Sequence, residues 1–340
     1  CYHHVITNRQ IITNKRVTMK VIKLQYCLVL LGLFIFTACK KDNNGPNNPN
    51  NPDNPNPPGQ QFPGEIIYDW ATEGLLKINL QSHVKSTVLP DDTRRNGVDI
   101  SQDGKRMIVS SDAPDNYDAN LYTFKNVSDG AIISQFEYYP TDGGYTIPNL
   151  SYDETLIAIN PTYDDGIVIL NMKGQVLHHL ASFQGKKIEG SIAWMPDNTI
   201  LFKMDKTLYR TNAAFTQANA VKTLNYDSWG GFAPSPDGTK IALTIGNHAW
   251  MMNADGTNLV QVTTSDFEEA YPTFSPDSKY LLLGREYQTT GPFGHIWYMV
   301  IIPADGKQYN VNEGADDRVI PVIEKGENRA AACGGLMLWR

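Results

Sequence analysis

Cysteine is scarce in this chain, with four among 340 residues: Cys1, Cys27, Cys39 and Cys333. Only Cys333 lies in the globular part, so no intramolecular disulfide framework can be built. Without a second thiol or a nearby histidine pattern, Cys333 reads as a small buried hydrophobe. Positive charge is also short. Lys and Arg number 29 against 36 Asp and Glu, for a net charge of -7. That balance gives no electrostatic reason for a nucleic-acid partner. Helical periodicity is missing over any useful length, which argues against helical and α/β folds. There is no HExxH, no GxSxG elbow, no Walker phosphate loop and no CxxC. The chain is therefore read as non-catalytic, with no cofactor and no metal assigned.

What is present near the start is a targeting pattern. From Met19 the sequence runs MKVIKLQYCLVLLGLFIFTACKKD. Lys20 and Lys23 form a charged region, and Cys27 to Ala38 is a nearly unbroken apolar run. Small residues then precede Cys39, the layout of a secretory signal peptide. The run is short for a transmembrane helix. Phe36 to Cys39, FTAC, resembles the lipobox of bacterial lipoproteins, in which the cysteine is lipidated and heads the mature chain. Residues 1–38 are thus expected to be upstream sequence and signal peptide, with Cys39 carrying lipid. Residues 39–63 include NNGPNNPNNPDNPNPP, which has too little apolar surface to fold and reads as a tether. Cys39-Lys40-Lys41-Asp42 is similar to the short charged signals of Bacteroidetes surface lipoproteins. The expectation is an outer-membrane lipoprotein, facing periplasm or exterior, that touches the membrane through its lipid.

The rest of the chain repeats. SQDG at Ser101, SYDE at Ser151, MPDN at Met195, SPDG at Ser235 and SPDS at Ser275 are separated by 50, 44, 40 and 40 residues. A period in this range points to a propeller. Each turn follows a short apolar run and precedes two more, such as IALTIG and HAWMMN after Ser235. A polar break such as ADG at Ala254 then leads to a fourth run. Runs of five to eight residues rich in Val, Ile, Leu, Tyr and Thr are strands, and Asp-Gly pairs suit tight hairpins. Each copy is a four-stranded antiparallel blade. Gly64 to Pro90 offers three strands and the segment from Ala330 offers one, which together complete a further blade from both ends. The expected fold is all-β: a six-bladed propeller over residues 64–340, taken to be monomeric.

The pattern SPDG-x-K-[IL], followed by a W/Y-x-M strand and ADG, resembles the WD-like repeat of TolB-type propellers. It is best developed at Ser235 to Thr263 and Tyr271 to Gly306. Earlier copies depart from it, with Gln102 and Tyr152 in place of proline and Met195 in place of serine. The resemblance covers the chain from about Gly64, with the tether where TolB carries an α/β domain. It implies an envelope complex as context and protein or peptide partners.

Propellers bind at a channel mouth, built from the connections between one blade's fourth strand and the next blade's first. Here those connections are TRRNG, TDGGY, GKKIEG, YDSWGG, DFEEAY and DDRVIPVIEKGENR. They supply Arg95, Tyr145, Glu189, Tyr226, Trp229, Glu269, Tyr271 and Arg329 as candidate ligand-binding residues. Trp229 stands beside two glycines, and both a ligand platform and a packing wedge between blades remain open for it. The repeated turn aspartates, Asp103, Asp153, Asp197, Asp237 and Asp277, are assigned to fixing the turns rather than to calcium. Asp112, Asp115 and Asp118 form an acidic loop able to hold a cation, with a solvated loop as the alternative. His248 and His295 begin third strands in adjacent blades and are weaker ligand candidates. Two functions compete: a scaffold binding an envelope protein or peptide, and a glycan-binding or lyase-like propeller using Tyr226, Trp229 and Tyr271 as stacking platforms.

Overall fold

A computed structural model describes residues 61–70, 72–141, 146–162, 166–188, 190–291 and 294–340. Within these residues the repeats form sheets in which chain order and spatial order coincide. The second blade is Arg95–Ile100, Arg106–Ala113, Asn116–Asn126 and Ile132–Tyr138. The third is Pro148–Leu150, Leu156–Thr162, Gly166–Asn171 and Val176–Leu180. The fourth is Ile192–Trp194, Ile200–Met204, Thr207–Thr211 and Ala218–Thr223. The fifth is Trp229–Pro234, Lys240–Ile245, His248–Asn253 and Val260–Gln261. All four are antiparallel throughout. First strands of successive blades are neighbours, so they line the axis and fourth strands form the rim.

The middle strands are apolar on both faces because a blade packs on both sides. Ile167 to Leu170 are all buried. In the fifth blade, Ile241, Leu243 and Met252 join the core shared with the fourth blade, while Ala242, Ala249 and Met251 join that shared with the sixth. The rim strands of blades one to five instead carry only exposed and half-buried residues, as water meets the outer edge.

The first blade is assembled from both ends of the propeller. Glu65–Trp70, Gly74–Asn79 and Lys85–Leu89 supply three strands, and Met337–Trp339 pairs with Ile66 to Tyr68 as the innermost. Arg340 and Glu65 exchange backbone hydrogen bonds, at 2.6 and 2.9 Å. The Trp339 indole N–H donates to the Pro63 carbonyl at 2.7 Å, and its ring meets Phe62 and Tyr280. Phe62 is itself buried, so the core begins two residues before Gly64.

The sixth blade corrects part of the sequence reading. Its strands are Ala270–Phe274, Tyr280–Thr289 and His295–Pro303, but QYNVNE is not the fourth. Tyr309–Asn310 instead pairs in parallel with Thr263–Thr264, at the end of the preceding blade. The physical reason is burial: Tyr309 and Val311 both fill the core between blades five and six. The rim position goes to Ile320–Pro321 and Ala332–Cys333, which pair with the same third strand on either side of an excursion. Ile320 and Val322 are the buried residues that make this edge fit. Thus DDRVIPVIEKGENR supplies the rim of the blade rather than a mouth connection.

The turn aspartates do what the repetition implies. In the fifth blade, Asp237 accepts hydrogen bonds from the Ser235 hydroxyl, the Thr239 hydroxyl and the Thr239 N–H. Ser235 in turn accepts from the Lys240 N–H at 2.9 Å. The second, third and sixth blades repeat this arrangement. Where Met195 replaces serine, Asp197 keeps its bonds from Thr199 and gains Arg210. The fourth turn residue has positive φ in all five copies: Gly104, Glu154, Asn198, Gly238 and Ser278. For the three that are not glycine this conformation costs about 1 kcal/mol. Their side chains offset it by bonding the neighbouring blade. Ser278 accepts from the Asp237 N–H, Asn198 accepts from the Tyr152 N–H, and Glu154 pairs with Arg106. Arg340 continues the stitching by donating to the Ile100 carbonyl.

Two predictions follow from this architecture. Trp339→Ala should lower stability by about 3–5 kcal/mol in a denaturant titration, since it empties a closed seam. The five turn carboxylates all lie below the usual carboxylate range. For Asp103 the Ser101 hydrogen bond leads; for the others burial pushes upward and the hydrogen bonds outweigh it. Their stabilisation is complete above the unfolded carboxylate pKa of about 3.9 and is lost as pH falls through the lower folded values. Thermal midpoints should therefore drop on acidification below about pH 4, and Asp237→Asn should flatten that dependence.

Candidate functional site

The two ends of the propeller differ in construction. One, the turn end, carries the Ser-x-Asp turns together with the turns between third and fourth strands. The Val127 N–H bonds the Lys105 carbonyl, and Ala254 and Ala304 bond Thr239 and Lys279 in the same way. The other, the connection end, carries the links between blades and the loops between second and third strands. The candidate residues were assigned to this second end.

Their placements divide. Tyr145 and Glu189 lie outside the described residues. Arg95 begins the second blade and is turned inward. Its guanidinium donates to the Pro90 carbonyl at 3.0 Å and to Asp69 at 3.3 Å. Burial raises the Asp69 carboxyl above its ordinary range, against the opposing pull of Arg95. Trp229 is 6% exposed and belongs to the core between the fourth and fifth blades. The Lys203 ammonium sits 4.4 Å from its ring centre and donates to its carbonyl at 2.7 Å. Burial holds the Lys203 pKa below the usual lysine range. Of the two readings of Trp229, the geometry matches the packing wedge.

Glu269 is also internal. Its carboxylate accepts from the Ala249 N–H at 2.9 Å, from Ser265 at 2.9 Å and from the Thr263 hydroxyl, and it contacts His248 Nδ1 at 3.1 Å. These bonds tie the connection between blades five and six to the third strand of the fifth blade. A carboxylate with four partners has little capacity left for a ligand.

Tyr226 and Tyr271 remain exposed at the connection end. The Tyr226 ring stands 5.8 Å from Trp250. Tyr271, 57% exposed, lies against Gly231, where a Cβ would come within 2.4 Å of its ring. The glycine, with φ +54°, is what lets the tyrosine lie flat across the seam between blades five and six. Its other contact is edge-on to Trp297.

Arg329 is exposed but elsewhere. Its loop leaves the sixth blade's rim strand between Ile323 and Ala330, which form a bridge. It docks on the first blade's third-to-fourth-strand turn, with the Lys325 N–H on the His83 carbonyl and Glu324 paired with Lys85. Glu324 also accepts from the Tyr68 hydroxyl. This loop seals the outer flank of the closing seam.

The metal candidates do not converge. Asp112 accepts from Asn96, which also bonds Asn120, so it belongs to a polar clamp joining the first three strands of blade two. His248 engages Glu269, and His295 Nδ1 meets the Tyr287 hydroxyl at 2.6 Å. Among the described residues no three His, Cys, Asp or Glu side chains are grouped to hold a metal. Cys333 is buried, and burial pushes its thiol up to about 12.

Sequence reasoning missed several aromatics at this end. Tyr139 and Phe267 are both exposed on connections. Tyr287 stacks between His295 and Trp297 on an unusually long hairpin, Tyr280–Thr289 with His295–Pro303. The signal for Phe267 was its place in DFEEAY, where the adjoining carboxylates drew the attention.

A closed ring of six four-stranded antiparallel blades, with exposed aromatics at one end, defines a six-bladed β-propeller. Among solved structures it is similar to a protein from Agrobacterium tumefaciens assigned as a TolB, with TM-score 0.52 and 17% identity, over 73% of this chain and 87% of that one. TolB from Acinetobacter baumannii matches with TM-score 0.53 and 17% identity, over 73% of this chain and 63% of that one. At this identity the likeness is one of fold. The sequence matches no protein-family model and no curated protein.

The placements predict opposite phenotypes. Trp229→Ala should cost about 3–5 kcal/mol in stability through the cavity it leaves. Tyr271→Ala should leave the denaturant midpoint nearly unchanged, within about 0.5–1 kcal/mol. Unfolding curves on the purified variants check both.

Proposed function

We propose that this chain is a non-catalytic binding propeller of the cell envelope, held to the outer membrane by lipid on Cys39. A protein or peptide partner would dock at its connection end. The observation that carries this reading is the set of exposed aromatics there: Tyr139, Tyr226, Phe267 and Tyr271. Exposed aromatic side chains rich in contact area and poor in rotamer freedom are the usual anchors of protein interfaces. Some charged residues at the same end, Asp69 with Arg95 and His248 with Glu269, are engaged with each other, while Arg94, Asp227, Asp266 and Glu268 stay exposed. Contact there would combine the aromatic area with a rim of exposed charges. The fold likeness to TolB and the repeat pattern support an envelope context, and the lipobox-like FTAC supports the anchor.

The test places a photo-crosslinking side chain at Phe267 or Tyr271 in cells, with Lys105 at the turn end as control. A discrete protein adduct at the first two positions alone is expected. Purified partner should then bind the Phe267→Ala, Tyr271→Ala double variant at least about tenfold more weakly. If no adduct forms and oligosaccharides change the tryptophan fluorescence, the glycan-binding reading replaces this one.

A further inference from the structure

The large exposed hydrophobic side chains are sorted by type between the two ends. The aromatic ones, Tyr139, Tyr226, Phe267 and Tyr271, lie at the connection end. The aliphatic ones are Val84, Ile132, Ile133, Val176, Leu177 and Val260. Each of these six falls within one residue of the start of a rim strand: Lys85–Leu89, Ile132–Tyr138, Val176–Leu180 or Val260–Gln261. Rim strands start at the turn end, so all six are at that end, on blades one, two, three and five. Ile132 at 59% and Val176 at 53% are more exposed than any ordinary core residue could be. The densest part is the seam between blades two and three. There Gly174, two residues before Val176, lies against the ring of Phe136, on the same strand as Ile132 and Ile133.

Exposed aliphatics on open strand edges are a liability that soluble proteins usually blunt with charge. A cluster of them marks a contact surface. We propose that this aliphatic rim rests on the lipid bilayer, with the aromatic connection end facing away from it.

Three observations select lipid as the occupant. The chain enters the propeller at the same end, because the Leu80 N–H bonds the Gly64 carbonyl and Phe62 packs under Trp339. Residues 40–60 connect that entry point to Cys39. Even fully extended they span at most roughly 75 Å, so a lipid on Cys39 would keep the rim at high effective concentration over the bilayer. Finally, several charges among the rim's neighbours are paired locally, Lys105 with Asp103, Lys279 with Asp277, and Lys307 with Asp305, while Asp129, Lys173 and Asp255 stand exposed beside them. The end therefore presents aliphatic side chains among paired and single charges of both signs, a mixed surface suited to the headgroup boundary. The inference depends on the lipidation of Cys39 given above, and the experiment separates the two.

The full chain is reconstituted into vesicles of phosphatidylethanolamine and phosphatidylglycerol with bromine-labelled acyl chains. A fluorophore is attached through Ile133→Cys or Val84→Cys at the rim, and through Phe267→Cys at the opposite end. Cys1 and Cys27 are replaced by serine, the lipid occupies Cys39, and the native Cys333 is buried, so none of them competes for the label. Quenching several-fold stronger at the two rim positions than at position 267 is expected. Replacing Ile132, Ile133, Val176 and Leu177 by serine should bring the Val84→Cys probe down to the level of position 267. Equal quenching at both ends overturns the proposal. So does protection of the rim probes without lipid, accompanied by a doubled mass in light scattering, since the rim would then join two copies. Incorporation of labelled palmitate, lost in Cys39→Ala, reports the anchor separately. If Cys39 takes no lipid, the anchor reading falls, and flotation of the same chain with vesicles decides the rim: flotation lost in the four-serine variant supports it, and no flotation overturns it.

Discussion

The pairing of Met337–Trp339 with Ile66 to Tyr68 is the contact on which the rest depends. Without it, five complete blades would end in a first blade lacking its axial strand. The apolar faces of the first and sixth blades would then face water. The seam is reinforced at three depths. Trp339 with Phe62 and Tyr280 fills the turn-end side of the core. Arg340 reaches past it to the second blade, donating to the Ile100 carbonyl and pairing with Asp99 at 3.5 Å. The excursion between Ile323 and Ala330 covers the outer flank through Glu324 and Lys325. Sequence-distant segments must meet here before the ring gains its stability, which makes closure an entropically costly step of high contact order.

Around the rest of the ring, each blade is held to the next by two devices. One is the shared apolar layer, which favours continuous hydrophobic runs in the middle strands. The other is the stitching of turn residues, in which an otherwise strained left-handed position aims a side chain at its neighbour. Both devices are spent on rigidity, and they leave the connection end free to vary. That end is where polar residues are recruited into local clamps, such as Glu269 with Thr263, Ser265 and Ala249. The aromatic side chains left over are the ones exposed to solvent. The opposite end keeps its aliphatic side chains at the rim. The molecule thus has two chemically distinct ends on one scaffold.

Much of this was legible in advance. The spacing of the Ser-x-Asp turns and the runs between them specify blades, because turn chemistry and strand length are local properties. The structural role of Asp237 and its equivalents could be read the same way, from their recurrence. The site was less legible. Trp229 and Glu269 looked like binding residues by composition and position, yet both are buried, since a residue's exposure depends on the blade beside it. Arg329 looked like a mouth residue because its segment was counted as a connection. The rim role of Ile320–Pro321 is decided by pairing with Val300 and Ile301, which lie some twenty residues earlier.

By itself, the sequence determined the class of fold, the position of the turns, the closure by both ends of the propeller and the lack of familiar catalytic motifs. These are consequences of periodicity and local conformational preference, which need no knowledge of neighbours. Tertiary structure alone decided which candidates face water, that Tyr309 crosses to the preceding blade, and that aliphatic and aromatic side chains separate to opposite ends. Those features depend on which strand lies beside which, and on where each strand starts along the axis. In a ring, that information arises only when all the blades are in place.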